Sequence, residues 1–312
     1  MPRRFPSCCC SSSSPSRWSR WLSCDPVGTT DMRTTRIRRT ALTLVIILLI
    51  IACFLAPYAW VVASSLKNQF TVFGDVTPLS WRAFVPVGAT IENYVSLFER
   101  TNILRALLNT AIVAIGQVAF TLLLCSMAAY ALTRIKFPGA NIVFMLILLT
   151  FLLPIEAMMV PLYQVVSGLG LSNTLVGIMI PWIASPFGLF LLKQAFEELP
   201  TELEDAARID GAGHVRIFFS IVLPNVKVPM VTLGLITFLF CWNSFLWPLV
   251  IVQDPARQII QVAIAQQGSP TQLPNWGETF AGATVATVPL ILLFLVLQKY
   301  FTQGMATSGI KG

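Results

Sequence analysis

Six apolar runs, each about as long as a lipid bilayer is thick, dominate this sequence and limit what it can fold into. They extend approximately over Ala41–Ser64, Leu104–Leu132, Ile142–Tyr163, Leu175–Leu192, Val228–Val252 and Phe280–Phe301. A transmembrane helix needs about 20 mostly apolar residues. Charged residues make up only 11% of the 312 residues, against roughly 25% in soluble domains. The sequence therefore predicts an all-α membrane protein with six transmembrane helices.

Basic residues between the runs indicate which side of the membrane each loop faces. Cytoplasmic loops of membrane proteins are enriched in Lys and Arg. Such residues precede the first run, follow the second and flank the polar interval after the fourth; they include Arg33, Arg36, Arg38, Arg39, Arg134, Lys136, Lys193 and Lys227. Both termini and that interval are therefore expected in the cytoplasm. This topology also accounts for the net charge of +7 without nucleic acid.

The first 31 residues differ from the rest of the chain. They are of low complexity, with the run CCCSSSSPS, and lack both a helical period and an apolar signal-peptide core. Residues 1–31 are predicted to be a disordered tail and residues 32–312 the transmembrane domain. Alternatively, translation starts at Met32, which leads directly into the first apolar run.

The polar interval from Pro200 to Pro224 reads as two short helices joined at a glycine. Thr201 and Glu204 have the spacing of a capping box, which predicts a helix start. Gly211 can adopt the left-handed conformation that ends a helix. A second apolar set follows and is expected to end at Pro224; it consists of Val215, Ile217, Phe218, Ile221 and Val222.

This interval resembles the EAA loop of bacterial ABC importer permeases. The family pattern is an acidic residue, two alanines, a glycine four positions later, and Ile-x-Leu-Pro. Here these positions are Asp205, Ala206, Ala207, Gly211, Ile221, Leu223 and Pro224. The chain departs from the pattern in one respect, because the usual glutamate is Asp205, preceded by Glu204.

From about residue 40 the chain is also similar to the carbohydrate subgroup of these permeases, in particular to the second permease of the maltose importer. The stretches that carry this similarity are ENY at 92–94, LLNT at 107–110, MAAYALTRIKFPG, IPW at 180–182, CWNSFLWPL and the terminal SGIKG. The resemblance implies a type I ABC importer permease fold in the bacterial cytoplasmic membrane, with a cytoplasmic coupling helix between spans 4 and 5.

The resemblance further implies an assembly in which this chain is one part. Two ATPase subunits would bind ATP and Mg²⁺, a second homologous permease would complete the pathway, and an extracytoplasmic solute-binding protein would deliver a sugar. The chain itself would hold no cofactor or metal. The residues expected to contact the ATPase are Glu204, Asp205, Ala206, Ala207, Asp210, Gly211, Ile217, Phe218, Ile221, Leu223 and Pro224.

Polar residues inside the apolar runs are candidates for the solute pathway. Asn243 lies between Trp242 and Trp247, and an amide beside aromatic faces suits a sugar. An interhelical hydrogen bond with packed aromatics would explain the same pattern, and Gln117 is a similar candidate. Glu156 is the acidic residue inside a predicted span, where a charge costs about 2.5–3.5 kcal/mol. Alternatively, it lies near the span's outer end, among headgroups.

Other function classes fit the sequence less well. It contains no GxxxxGK[ST] phosphate loop, no HExxH and no GxSxG motif. His214, the single histidine, has no nucleophile near it in the sequence, and an enzyme is therefore not expected. A permease for another solute, such as glycerol phosphate, a peptide or a polyamine, remains an alternative. An ion-driven secondary transporter is a further one, although it predicts internal repeats or several intramembrane charges.

Overall fold

The structure, a computed structural model, describes residues 29–68, 71–74, 76, 80–135, 137–267 and 275–308. This part of the chain forms fourteen α-helices and no strand. The helices are α1 Thr29–Ser65, α2 Glu92–Arg100, α3 Ile103–Arg134, α4 Ala140–Thr150, α5 Ile155–Gly168, α6 Leu175–Met179, α7 Pro186–Glu197, α8 Glu202–Ile209, α9 His214–Ile217, α10 Leu223–Asn225, α11 Lys227–Trp242, α12 Leu246–Ile251, α13 Ile260–Gln267 and α14 Trp276–Ser308. A π-helix, Phe218–Val222, connects α9 and α10.

The predicted tail lies outside the described residues except for its last three, Thr29 to Asp31, which begin α1. The described residues up to Pro57 form one compact unit and those from Tyr58 a second. In the first unit α1 presents apolar side chains such as Leu49 and Phe54, which are 67% and 79% exposed. Such a surface is stable only in contact with lipid or other apolar groups.

Three helical segments are long and apolar enough to cross a membrane, and three bent helix pairs pass the same test together. The straight segments are Thr40–Ser65, Ile103–Arg134 and Trp276–Gln298. The bent pairs are Ala140–Thr150 with Ile155–Gly168 (103°), Leu175–Trp182 with Pro186–Glu197 (49°) and His214–Asn225 with Lys227–Trp242 (81°). By length and composition the described residues thus hold three spans, or six if each pair is one span.

The bends differ from the unbroken runs that hydrophobicity predicts, and prolines explain where the first two of them fall. A proline ring clashes with the carbonyl four residues earlier in an α-helix. For Pro154 that carbonyl belongs to Thr150, where α4 ends, and for Pro186 it belongs to Trp182, where a 3₁₀ turn ends. The predicted fifth span is likewise two helices, because Pro248 of α12 prevents α11 from continuing through Ser244.

The core of the second unit is built around α3. Three clusters of buried apolar residues fill it, and α3 contributes to each one. Its contributions are Val113 and Ala114 to the first cluster, Cys125, Ala129 and Tyr130 to the second, and Ile103 to the third. The helices α5, α6, α7, α11, α12 and α14 supply other members of these clusters.

Polar side chains fasten loops to the beginning of α3. Asn109 Nδ2 donates to the backbone carbonyls of Ala256 (3.1 Å) and Gln258 (3.0 Å). The hydroxyl of Thr110 accepts from the backbone N–H of Ile260 at 2.8 Å. Breaking these bonds is unfavourable, since an unpaired polar group in an apolar interior costs about 1–3 kcal/mol. They therefore fix the segment that follows α12.

Gly177 of α6 is packed so closely that a methyl group does not fit. A Cβ there would lie 2.2 Å from the backbone oxygen of Leu171. We expect Gly177→Ala to destabilise the protein by about 1–3 kcal/mol, the usual range for overpacking. Thermal unfolding of the purified protein in detergent measures the loss. Gly168→Ala is the control, because that helical glycine has open space around it; equal melting temperatures for the two variants would contradict the packing described here.

Candidate functional site

The interval Pro200–Pro224, called the hairpin below, begins with α8. Thr201 occupies the N-cap position, as the sequence predicts, but its side chain makes no capping hydrogen bond. Glu204 does not turn back to cap the helix either. It is buried, and its Oε1 lies 2.6 Å from Nε of Arg134. The capping box is therefore wrong in its bonding, although the helix starts where it was expected.

Gly211 ends α8 in the left-handed conformation, with φ of +79°. The N–H of Ala212 donates to the carbonyl of Ala207 (2.9 Å), and that of Gly211 to the carbonyl of Arg208 (3.0 Å). These two bonds form a Schellman motif, which satisfies the last carbonyls of a helix. The predicted left-handed conformation of Gly211 at the helix end is confirmed.

The second half of the hairpin turns inward and is anchored in the core. Ile217, Phe218 and Val222 are buried in the cluster that α3 and α7 share. Pro224 does not end the segment, because α10 continues to Asn225. The π-helix accommodates this proline: the N–H of Leu223 donates to the carbonyl of Phe218, five residues back, which widens the turn ahead of the ring.

The outer edge of the hairpin is exposed and partly apolar. Ile209 and Val215 are 87% and 72% exposed, and Leu203 and Phe219 are exposed as well. Isolated exposed apolar residues are ordinary, but several on one short segment indicate a contact surface. Ile209 was missed in the sequence, because it is not among the positions that define the EAA pattern.

The eleven residues predicted to contact an ATPase fall into three groups by burial: exposed, partly buried and buried. Exposed members are Asp205, Ala206, Asp210, Gly211 and Pro224, and partly buried ones are Ala207, Ile221 and Leu223. Glu204, Ile217 and Phe218 are buried within this chain. The contact itself stays a prediction.

Arg134, the last residue of α3, connects the hairpin to the helix ends beside it. Its Nη2 donates to the carbonyls of Phe196 (2.8 Å), in the last turn of α7, and of Leu199 (3.0 Å), two residues after α7 ends, while Nε donates to Glu204. The sequence marked Arg134 only as a cytoplasmic charge. No local signal could have found this role, because Glu204 lies 70 residues away along the chain.

The tryptophans predicted for the solute pathway lie in the core. Trp242 and Trp247 are each 2% exposed. The indole N–H of Trp242 donates to the carbonyl of Ala286 (3.1 Å), and that of Trp247 to the carbonyl of Gly177 (3.2 Å). Both rings therefore join helices in this conformation, which agrees with the packing alternative.

The remaining pathway candidates lie on different helices. Asn243 caps α11, is exposed, and donates from Nδ2 to the carbonyl of Leu239 at 2.8 Å. Gln117 is buried on α3, and Glu156 is exposed in the first turn of α5. The carboxylate of Glu156 is favourably placed there for the helix dipole. Their part in solute binding stays a prediction, and within the described residues no group of three His, Cys, Asp or Glu side chains is suited to a metal.

The long apolar helices, the bent pairs and the anchored hairpin define a helical protein of the membrane. Comparison with known families is more specific. Residues 121–307 match the family described as "binding-protein-dependent transport system inner membrane component". The chain belongs to this family of ABC transporter permeases. The resemblance seen in its EAA-type loop is thereby confirmed.

Curated relatives cover most of the chain. The lactose transport system permease protein LacG of Rhizobium radiobacter is 33% identical over 261 residues, which are 83% of this chain and 92% of that protein. The arabinooligosaccharides transport system permease protein AraQ of Halalkalibacterium halodurans is 34% identical over 230 residues, 73% of this chain and 82% of its own length. The sn-glycerol-3-phosphate transport system permease protein UgpE of Yersinia pestis is 36% identical over 206 residues, 65% and 72% of the two chains.

A solved structure shows the same fold. It is a chain of a bacterial ABC transporter involved in the import of the acidic polysaccharide alginate, with a TM-score of 0.75 and 22% identity, over 86% of this chain and 98% of that one. The all-helical class predicted from the sequence is confirmed.

The positive φ of Gly211 leads to a prediction about the hairpin. We expect Gly211→Ala to destabilise the turn by about 1–2 kcal/mol, because a side chain disfavours left-handed backbone. Local opening should then rise roughly fivefold or more. This opening is measured by the initial rate of tryptic cleavage at Arg208 and Arg216, in membrane vesicles in which trypsin can reach the hairpin.

Gly213→Ala is the matched control, since Gly213 has φ of −75° and open space around its Cα. Cleavage of that variant should stay near the rate of the unmodified chain. Similar acceleration by both alanines would show that the turn does not depend on the conformation of Gly211.

Proposed function

We propose that this chain is the permease subunit of an ATP-driven importer that moves a sugar or sugar-like solute across the bacterial cytoplasmic membrane. The observation that supports this most directly is the hairpin. Its Schellman turn presents an exposed apolar edge, while its second half is buried against α3 and α7. A segment that is anchored inside and apolar outside suits docking to another subunit.

In this assembly the six spans are the three straight segments, the first two bent pairs, and α11 together with α12, while both termini and the hairpin lie in the cytoplasm. Two ATPase subunits bind ATP and Mg²⁺ and hydrolyse the nucleotide. A second homologous permease completes the pathway, and an extracytoplasmic binding protein delivers the solute. A second structural neighbour supports the last point, because it is a bacterial alginate ABC transporter in complex with an alginate pentasaccharide-bound periplasmic protein.

Transport proceeds by alternating access in this proposal. ATP binding closes the ATPase subunits, and the docked hairpin moves with them. Because Ile217, Phe218 and Val222 are packed into the core, the hairpin cannot move without shifting the helices that it contacts. The pathway consequently opens to one side of the membrane at a time.

The names of the relatives support a sugar as the solute, since LacG and AraQ are permeases of lactose and arabinooligosaccharide systems. One relative favours a second candidate, because UgpE serves sn-glycerol-3-phosphate. A phosphate ester needs positive charge along the pathway. The candidates of this chain, Asn243, Gln117 and Glu156, are neutral or acidic, and they fit a neutral sugar better.

Isolation of the tagged chain from its native membrane in mild detergent tests the assembly. We expect mass spectrometry to recover an ATPase, a second permease and a solute-binding protein with it. Ile209→Ser should reduce the recovered ATPase roughly tenfold, because it removes about 1.5–3 kcal/mol of apolar burial from the docking edge.

Val87→Ser is the control, since Val87 is 60% exposed in the segment between α1 and α2. That variant should retain the ATPase in full. Recovery of the chain alone, under several detergents, would reject the importer and favour an ion-driven carrier.

Uptake by cells that lack or express the chain tests the solute. Labelled lactose, maltose, arabinooligosaccharide and sn-glycerol 3-phosphate are compared, and we expect one or more of the sugars to depend on the chain. If only the uptake of sn-glycerol 3-phosphate depends on the chain, the second candidate is established instead.

The same assay tests Asn243. Asn243→Ala should raise the KM for the transported sugar several-fold, because loss of one hydrogen bond is worth about 1 kcal/mol. Asn225→Ala is a matched control, since that exposed amide makes the same bond to the carbonyl four residues earlier, at 2.8 Å. An unchanged KM in Asn243→Ala would remove this residue from the pathway.

A further inference from the structure

Arg134 joins three parts of the structure at one guanidinium group. The residue ends α3, its Nε donates to Glu204 of α8 at 2.6 Å, and its Nη2 donates to the carbonyls of Phe196 and Leu199 at 2.8 and 3.0 Å. The two charged side chains are 9% and 3% exposed. Charge-assisted bonds with so little exposure are strong and poorly screened by salt.

The chemistry of the contact requires arginine rather than any cation. A guanidinium carries five N–H donors in a planar fork, so it can serve a carboxylate and two carbonyls at once. An ammonium is a compact charge on a flexible stem and cannot hold the same three acceptors in fixed directions. The contact therefore sets geometry as well as charge.

A second contact links α3 to the other half of the hairpin. Tyr130, one helical turn before Arg134, has its hydroxyl 3.3 Å from Nδ1 of His214 at the start of α9. Its ring packs edge-on against Phe218, with centroids 5.3 Å apart. Both helices of the hairpin are thus held by the last turn of α3.

We propose that Arg134 is the positioning residue of the hairpin: it fixes the angle at which α8 leaves the membrane helices, so that α3, the end of α7 and the hairpin move as one body. This inference rests on the proposed function, in which the exposed edge of the hairpin is the docking surface for an ATPase. Glu204 acts as the inward partner of Arg134, and Asp205 beside it is left for the outward contact.

Hydrogen–deuterium exchange of the full chain in lipid nanodiscs tests this placement. In Arg134→Gln, peptides covering residues 202–217 should exchange roughly tenfold faster, because bonds to a charged group are lost. Peptides of the α3 core around Val113 should keep their rates, which a general loss of stability would not allow. Arg134→Lys should lie between Arg134→Gln and the unmodified chain.

Two further variants complete the exchange experiment. Glu204→Gln removes the same ion pair from the other side and should give the same local acceleration, even if Arg134→Gln fails to accumulate. Arg216→Gln is the control, because Arg216 is exposed on α9 of the same hairpin, whereas Arg208 also lies 3.8 Å from Oε2 of Glu204. Its exchange should stay within about twofold of the unmodified chain, since an exposed charge contributes little to local stability.

The outcomes separate this inference from the proposed function. Unchanged hairpin exchange in both Arg134→Gln and Glu204→Gln, or an equal rise throughout α3, α7 and α11, overturns the positioning role. If hairpin exchange responds but no ATPase is recovered even with the unmodified chain, the importer proposal fails and the positioning role stands. If the unmodified chain and Arg134→Gln recover equal ATPase although the hairpin is loosened, the geometry set by Arg134 does not serve docking and that part is overturned.

Discussion

The rest of the second unit depends on α3, because this uninterrupted helix is held by polar bonds at both ends. Near its start Asn109 binds the carbonyls of Ala256 and Gln258. At its end Arg134 binds Glu204 and two carbonyls. A helix of 32 residues is about 48 Å long at 1.5 Å per residue. These clamps therefore join segments on opposite sides of the apolar core to a single rigid element.

Several helices around α3 are broken, and side-chain hydroxyl groups cap two of the helix starts beside it. Backbone groups freed by proline must find partners in an apolar environment. The hydroxyl of Ser185 accepts from the N–H of Gly188 at the start of α7, and that of Thr174 accepts from the N–H of Gly177 at the start of α6, each at 3.0 Å. The break between α6 and α7 is thus capped by Ser185, and the helices on its two sides both pack on α3.

The sequence predicts the local features of this protein well and the long-range ones poorly. Hydrophobic length located the three straight segments that are long enough to cross a membrane, and the need for positive φ identified Gly211, because both depend on neighbouring residues alone. Glu204 was assigned to a capping box because its true partner, Arg134, is 70 residues away. Similarly, periodicity does not reveal whether Trp242 and Trp247 face a pathway or a core, since that depends on α14 and α6. The ENY and LLNT stretches served in the sequence analysis only as evidence of the family resemblance. In the structure, Asn93 and Asn109 within them donate hydrogen bonds to backbone carbonyls.

The hairpin divides two tasks between neighbouring residues, and this division follows from helical geometry. Consecutive positions on a helix point about 100° apart, so Glu204 and Asp205 cannot face the same surroundings. Glu204 faces inward to Arg134, while Asp205 is exposed and pairs with Arg208. The two adjacent carboxylates in this loop consequently differ: one attaches α8 to α3, and the other lies on the surface. A force on the exposed edge reaches the core through the first, because breaking a buried ion pair by removing one charge costs about 3–5 kcal/mol, several times the worth of the exposed pair.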